Sequence, residues 1–326
     1  MRAPLPPRTF ERPFDLIVIG AGINGAGIAR DATLRGLSVL LLDKDDVGAG
    51  TTSRSTRLVH GGLRYLEHFE VPLVRESLRE RERLLRIAPH LVHPLSFLLP
   101  IYEGHRRGPA LIRMGMMAYD ALSLDKSLER HRMLSPAEAL AREPGLRREG
   151  LRGAAAYYDA QAEYPERLAL ENALDARRNG AVVLPYMRVL ALERGHGGRV
   201  TGVALRDELH GDEHRARGAL VVNAAGPWVD AVLGELTQGP GLIGGTKGSH
   251  LVVEPFPGAP REAVYSEALE DGRPYFVVPW SGRYLIGTTD LRYEGDPGDA
   301  VASDEEVDYL ISATNQLIPE ADLTPA

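Results

Sequence analysis

The segment Asp15-Leu16-Ile17-Val18-Ile19-Gly20-Ala21-Gly22-Ile23-Asn24-Gly25 constrains this chain more than any other. Its apolar, partly β-branched residues run straight into glycine, which reads as a short buried parallel strand. Gly20, Gly22 and Gly25 fit G-x-G-x-x-G. Ile23 to Arg35 then carry a helical pattern that Gly36 ends. Leu37 to Leu42 is a second buried strand, closed by Asp43. Strand, glycine turn, helix and strand with a terminal carboxylate make a βαβ dinucleotide-binding unit. The glycines let the backbone turn tightly and approach a pyrophosphate, and the amides around Ile23 and Asn24 at the helix N-terminus favour its charge. Asp43 accepts hydrogen bonds from ribose hydroxyls. A purely structural glycine turn is the alternative, and the setting argues against it. The fingerprint alone does not decide between FAD and NAD.

At 326 residues and 44% hydrophobic, the chain is long enough for two packed units or one large unit with insertions. A net charge of −7 argues against general nucleic-acid binding, so any anionic ligand needs a local cluster of arginine or lysine. With no cysteine, disulfides, thiolate catalysis, iron–sulfur clusters and cysteine-ligated zinc are excluded, and redox chemistry needs an organic cofactor. No metal site is expected. The apolar run from Leu16 is too short for a secretory core or a membrane span, so the expectation is a cytoplasmic protein, soluble or at most bound to a membrane surface.

A glycine- and hydroxyl-rich loop, Gly48 to Thr56, leads into His60-Gly61-Gly62-Leu63-Arg64-Tyr65 and an amphipathic helix from about Pro72 to Ala88. From Pro89 to Gly153 short strands, prolines and His105-Arg106-Arg107 suggest an insertion. Asp159 begins a return to α/β character, with a helix from Pro165 to Arg178, a strand at Ala181 to Leu184, a meander, and a buried strand ending at Asn223-Ala224-Ala225-Gly226. Beyond Pro227 further strands are expected at His250 to Val253, Tyr275 to Val278 and Tyr284 to Gly287. The pattern divides into a dinucleotide-binding domain over 13–79 and 155–227 and a second domain over 80–154 and 228–326. Arg106 to Met117 mixes cations with methionines. Core packing with a solvated arginine face is favoured over contact with anionic lipid.

Longer matches add to this. Leu16 to Asp31, centred on Ile-Gly-Ala-Gly-Ile-Asn-Gly-Ala-Gly-Ile, resembles the FAD fingerprint of the aerobic, quinone-linked glycerol-3-phosphate dehydrogenases. Thr51 to Glu67 resembles that family's second signature, and Asn223 to Trp228, Lys247 to His250 and Gly287 to Asp290 follow in its order. The likeness runs from Asp15 to about Pro319, with Arg57 where many relatives have lysine. It implies an α/β fold of the D-amino-acid oxidase type, a Rossmann-like FAD-binding domain with an inserted antiparallel-sheet substrate domain. It also implies FAD, expected to be held non-covalently since the chain has no cysteine for a thioether link, oxidation of glycerol 3-phosphate to dihydroxyacetone phosphate, and electron transfer to membrane quinone. Peripheral contact with the cytoplasmic face of the membrane and a homodimer complete what it implies about partners. The family's Ser-Gly-x-Arg-Pro and Gly-Gly-Lys-x-Thr-Thr motifs fall beyond Ala326, so a partial chain that catalyses poorly by itself is expected.

Carried over residue by residue, the resemblance gives Arg64 and Thr288 to the substrate phosphate, Tyr65 to the pocket wall, and His250 to the reacting carbon. His250 serves there either as general base or as orienter of the hydroxyl. Thr52, Ser53, Ser55, Arg57 and Leu58 fall to the pyrophosphate and ribityl chain, and His60, Gly61 and Gly62 to the flavin ring. Val189 falls to the adenine end, with Ala225, Gly226, Trp228 and Asp290 also in the cofactor set. An ordinary surface arginine, a strand threonine and a core tyrosine are the bland readings of Arg64, Thr288 and Tyr65. Three rivals stand beside the family's reaction: an amine or amino-acid oxidase of the same fold, a flavin-binding fragment with little activity, and an NAD-linked dehydrogenase.

Overall fold

The computed structural model describes residues 5, 6, 8–123, 127–236 and 241–325, the side chains of Arg64, Glu67 and Glu235 excepted. The chain packs as two compact units, Met1–Ser55 with Tyr164–Gly245, and Thr56–Glu163 with Thr246–Ala326.

The first unit is built on a six-stranded sheet. Strand Phe14–Ile19 runs parallel between Val39–Leu42 and Glu213–Asn223, and Val182–Leu184 extends the parallel part beyond Val39–Leu42. On the other side Glu213–Asn223 joins an antiparallel meander with Val200–Asp207 and Met187–Arg194. Burial on both faces explains the unbroken apolar runs: Ile17 and Val18, Leu40 and Leu41 have no exposed surface. Helices Ile23–Leu34 and Pro165–Arg178 cover one face through alanines, Ala26, Ala29 and Ala32 against Ala169, Ala173 and Ala176. Small side chains at three- and four-residue spacing bring the two helices close together.

The second unit is an eight-stranded sheet with helices on both faces. Its centre is the long antiparallel pair Val92–Tyr102 and Leu151–Ala162. Side chains alternate between the faces, Leu98 and Ala154 to one and Phe97, Leu99 and Ala155 to the other. Helices Val71–Ile87 and Pro109–Leu122 pack on the second of these faces, while Asp304–Leu317 and the short Pro136–Arg142 pack on the first.

Several expectations are corrected. The stretch after Pro89 holds one strand of 11 residues and a 14-residue helix rather than only short strands, because Val92–Tyr102 finds a partner of matching length in Leu151–Ala162. The compact units divide after Ser55, Glu163 and Gly245, whereas the sequence pattern suggested 79, 154 and 227. The strand Leu58–Val59 explains the earliest shift, since it pairs with Leu151–Ala162 in the second sheet. The methionines of Pro109–Leu122 split, with Met116 fully buried and Met114 and Met117 about 60% exposed. Among the described residues no helix is long and apolar enough to cross a membrane.

Candidate functional site

In the first unit the glycine turn is shaped by close packing. Gly20 has φ +99° and lies against the Ala224 carbonyl, and a side chain at Gly25 would overlap the Gly20 carbonyl oxygen. Only glycine at both places lets the helix start hard against the strand ends. The Asp43 carboxylate accepts from the Ala21 amide at 2.6 Å and from the Asp45 amide at 2.9 Å. Burial raises its pKa against the lowering effect of these bonds. Thr52 Oγ1 accepts from the Ile23 amide at 3.1 Å, so the hydroxyl-rich loop closes over the helix N-terminus. Ile23 and Asn24 are exposed there, and Ser53 turns its hydroxyl back to the Ala49 and Gly50 carbonyls. Ala225 and Gly226 form the turn after strand Glu213–Asn223, fastened by the Asn223 side chain, and Lys44 lies 3.7 Å above the Trp228 ring. Val189 is half-buried opposite Leu205.

In the second unit His250, Thr288, Arg57 and Thr56 come together. His250 heads strand His250–Val253 opposite Gly287, and its Nε2 lies 2.8 Å from Thr56 Oγ1. Burial, and then the charge of Arg57, push its pKa down to about 4, so the imidazole is neutral at pH 7. The Arg57 guanidinium is held 4.3 Å from the Trp280 ring centroid and donates to the Glu163 carbonyl at 3.0 Å. Thr288 follows Gly287, with Gly248 packed against its hydroxyl.

Beneath these residues lies Glu306, only 2% exposed. It accepts from Thr289 Oγ1 at 2.5 Å, Ser249 Oγ at 2.9 Å and the Ser303 amide at 3.0 Å, and pairs with Lys247 Nζ at 2.6 Å. Burial pushes this carboxyl up, but the Lys247, Thr289, Ser303 and Ser249 hydrogen bonds outweigh it and hold the pKa down to about 2. One carboxylate therefore ties Lys247-Gly248-Ser249-His250 to Gly287-Thr288-Thr289-Asp290. Asp290 is exposed, with its carbonyl accepting from Arg273 at 2.6 Å. Tyr65 is 43% exposed, and Gly62 is pressed against its ring. His60 is exposed and accepts from the Gly62 amide at 3.0 Å, while Leu58 pairs with Gln161. The side chain of Arg64 lies outside the described residues.

Residues 15–326 match the DAO family of FAD-dependent oxidoreductases. The chain belongs to that family. Its α/β fold with the inserted, largely antiparallel sheet is of the D-amino-acid oxidase type, and FAD is the family's cofactor. The first unit fits that group, with a glycine turn whose close packing sets the helix N-terminus hard against the strand ends and a carboxylate at the end of the second strand. This family member is 52% identical over 328 residues to a glycerol-3-phosphate dehydrogenase of Synechocystis, across 98% of this chain and 59% of that protein. It is 37% identical to the aerobic glycerol-3-phosphate dehydrogenase of Staphylococcus haemolyticus, across 95% of this chain and 56% of the relative. The crystal structure of glycerol-3-phosphate dehydrogenase from Bacillus halodurans, complexed with FAD, superposes with a TM-score of 0.78 at 34% identity, covering 97% of this chain and 55% of that one. The chain thus spans between half and three fifths of the length of these relatives.

Sequence reasoning missed Thr56, Trp280 and Glu306. Only Glu306 carried a signal, the Ser303-x-x-Glu306 capping box. That pattern reports a helix start and nothing of the strands Glu306 holds.

Proposed function

We propose that the protein carrying this chain oxidises sn-glycerol 3-phosphate to dihydroxyacetone phosphate and delivers the electrons to quinone. The observation that carries this reading is the 52% identity over 98% of the chain to a glycerol-3-phosphate dehydrogenase. FAD, when bound, would supply the electron sink for the hydride that leaves substrate C2. In this reading Gly20, Gly22, Ile23, Asn24 and Gly25 hold the pyrophosphate, and Asp43 holds the ribose. Thr52, Ser53, Ser55, Arg57 and Leu58 line the ribityl and phosphate chain, His60, Gly61 and Gly62 the ring, and Val189 the adenine end. Ala225, Gly226, Trp228 and Asp290 complete the cofactor set.

Arg64 and Thr288 bind the substrate phosphate, where an always-charged guanidinium suits a dianion. Tyr65 lines the pocket. His250, neutral at working pH, accepts a hydrogen bond from the C2 hydroxyl. With a pKa near 4 it is a weak base, so orienting that hydroxyl is its main task. Quinone reduction at the cytoplasmic membrane face, a peripheral membrane contact and a homodimer belong to the same proposal.

The test is anaerobic addition of glycerol 3-phosphate to the flavin-loaded protein. Bleaching of the visible flavin band, with unphosphorylated glycerol inert, is the expected result. Bleaching by an amino acid but not by glycerol 3-phosphate overturns the reading.

A further inference from the structure

Under the turn His60-Gly61-Gly62 lies a buried polar chain that the roles above do not use. The Gly61 amide donates to Tyr119 Oη at 2.8 Å, and Tyr119 Oη donates to the Asp159 carboxylate, 2.8 and 2.9 Å from its two oxygens. Arg81 pairs with the same Asp159 carboxylate. Arg81, Tyr119 and Asp159 are 0%, 2% and 3% exposed.

These groups come from three elements of the second unit: Arg81 from helix Val71–Ile87, Tyr119 from helix Pro109–Leu122, Asp159 from strand Leu151–Ala162. Burial and the neighbouring Asp159 push the Tyr119 phenol far above its ordinary range, so it keeps its proton. A hydroxyl with one proton, given to Asp159, has only lone pairs left for Gly61. The direction of every bond is therefore fixed. Among the described residues Arg81 Nε and Nη2 have no hydrogen-bond partner, an expensive arrangement for a guanidinium that serves packing alone. Gly61 itself has no room for a side chain, since a Cβ there would overlap Leu78 and the Tyr119 hydroxyl.

We propose that Tyr119 is a positioning residue, its hydroxyl held by Asp159 and Arg81 so that it grips the Gly61 amide and fixes how His60-Gly61-Gly62 is presented to the cofactor. This rests on the reading that the turn meets the flavin ring. Gly62 continues the turn at φ +69°, so a rotation of the Gly61 peptide would swing the following residues, Arg64 and Tyr65 among them.

The test is Tyr119→Phe in the flavin-loaded protein. This variant keeps the ring, its edge-on contact with Tyr157 at 6.3 Å, and the Arg81–Asp159 pair. FAD binding should weaken by about fivefold to tenfold, the equivalent of one hydrogen bond, with a changed shape of the visible flavin band. The KM for glycerol 3-phosphate should rise with kcat less affected. A lower Tm with unchanged FAD affinity, band shape and KM overturns the proposal and makes Tyr119 a packing residue. If Tyr119→Phe fails to fold, Leu78→Ala with Gly61→Ala tests the same turn, and unchanged FAD affinity there again overturns it. The FAD arm needs no substrate, so it is read independently of whether glycerol 3-phosphate reduces the wild-type flavin.

Discussion

At the scale of single residues, Glu306 and His250 do opposite things with burial. Glu306 stays ionised because Lys247, Ser249, Thr289 and the Ser303 amide all serve the anion. In Glu306→Gln the amide keeps part of the hydrogen bonding but strands the Lys247 charge, which has 19% of its side chain exposed. A loss of about 2–4 kcal/mol is expected in urea unfolding. A loss under about 0.5 kcal/mol, the size of a surface effect, would show that the pair contributes nothing. For His250, burial and then the charge of Arg57 disfavour the charged form. Its imidazole resonances should titrate with a midpoint near 4, and no ionisation of this residue should shape activity between about pH 5.5 and 8. A midpoint above about 6, the ordinary range, contradicts the buried-neutral account.

At the scale of elements, the βαβ start was the most legible part of the sequence because each of its signals is local. Gly20, Gly22, Gly25 and Asp43 lie within one strand–turn–helix–strand unit, so periodicity and glycine spacing suffice to place them. Gly25→Ala should break it by driving a methyl into the Gly20 carbonyl, costing about 1–3 kcal/mol or more and releasing FAD. Full flavin content after gel filtration would count against this. What the sequence hid was pairing across long separations. Thr56 meets His250 across 194 positions, and Arg81 and Tyr119 meet at Asp159 across 78 and 40. No period of 2 or 3.6 reports such meetings. The boundaries of the units were hidden for the same reason, since Leu58–Val59 looks like loop until Leu151–Ala162 is there to pair with it.

At the scale of the whole molecule, acid sensitivity is unevenly distributed. Unfolded His250 takes up its proton near 6.5 and folded His250 only near 4, so its contribution is complete above 6.5 and lost as pH falls through that window. Glu306 is depressed from 4.5 to about 2, so the stability it gives is present above 4.5 and lost as pH falls towards 2. Both belong to the second unit. Hydrogen exchange at about pH 4 should therefore release His250–Val253 and Arg283–Gly287 before Phe14–Ile19 and Val39–Leu42. The reverse order would contradict it.

The first sheet has a consequence in time. Strand Phe14–Ile19 is flanked on one side by Glu213–Asn223, about 200 residues later in the chain. At about 5–20 residues per second, a ribosome needs roughly 10–40 s to supply that neighbour. Meanwhile Leu16 to Ile19 offers a bare edge of amides and carbonyls and apolar side chains on both faces, the kind of ribbon that joins stray strands. Yield in a cell should then depend on how well chaperones shelter this emerging strand, and slowing translation between residues 43 and 213 should lower the soluble fraction without altering the melting point of what survives.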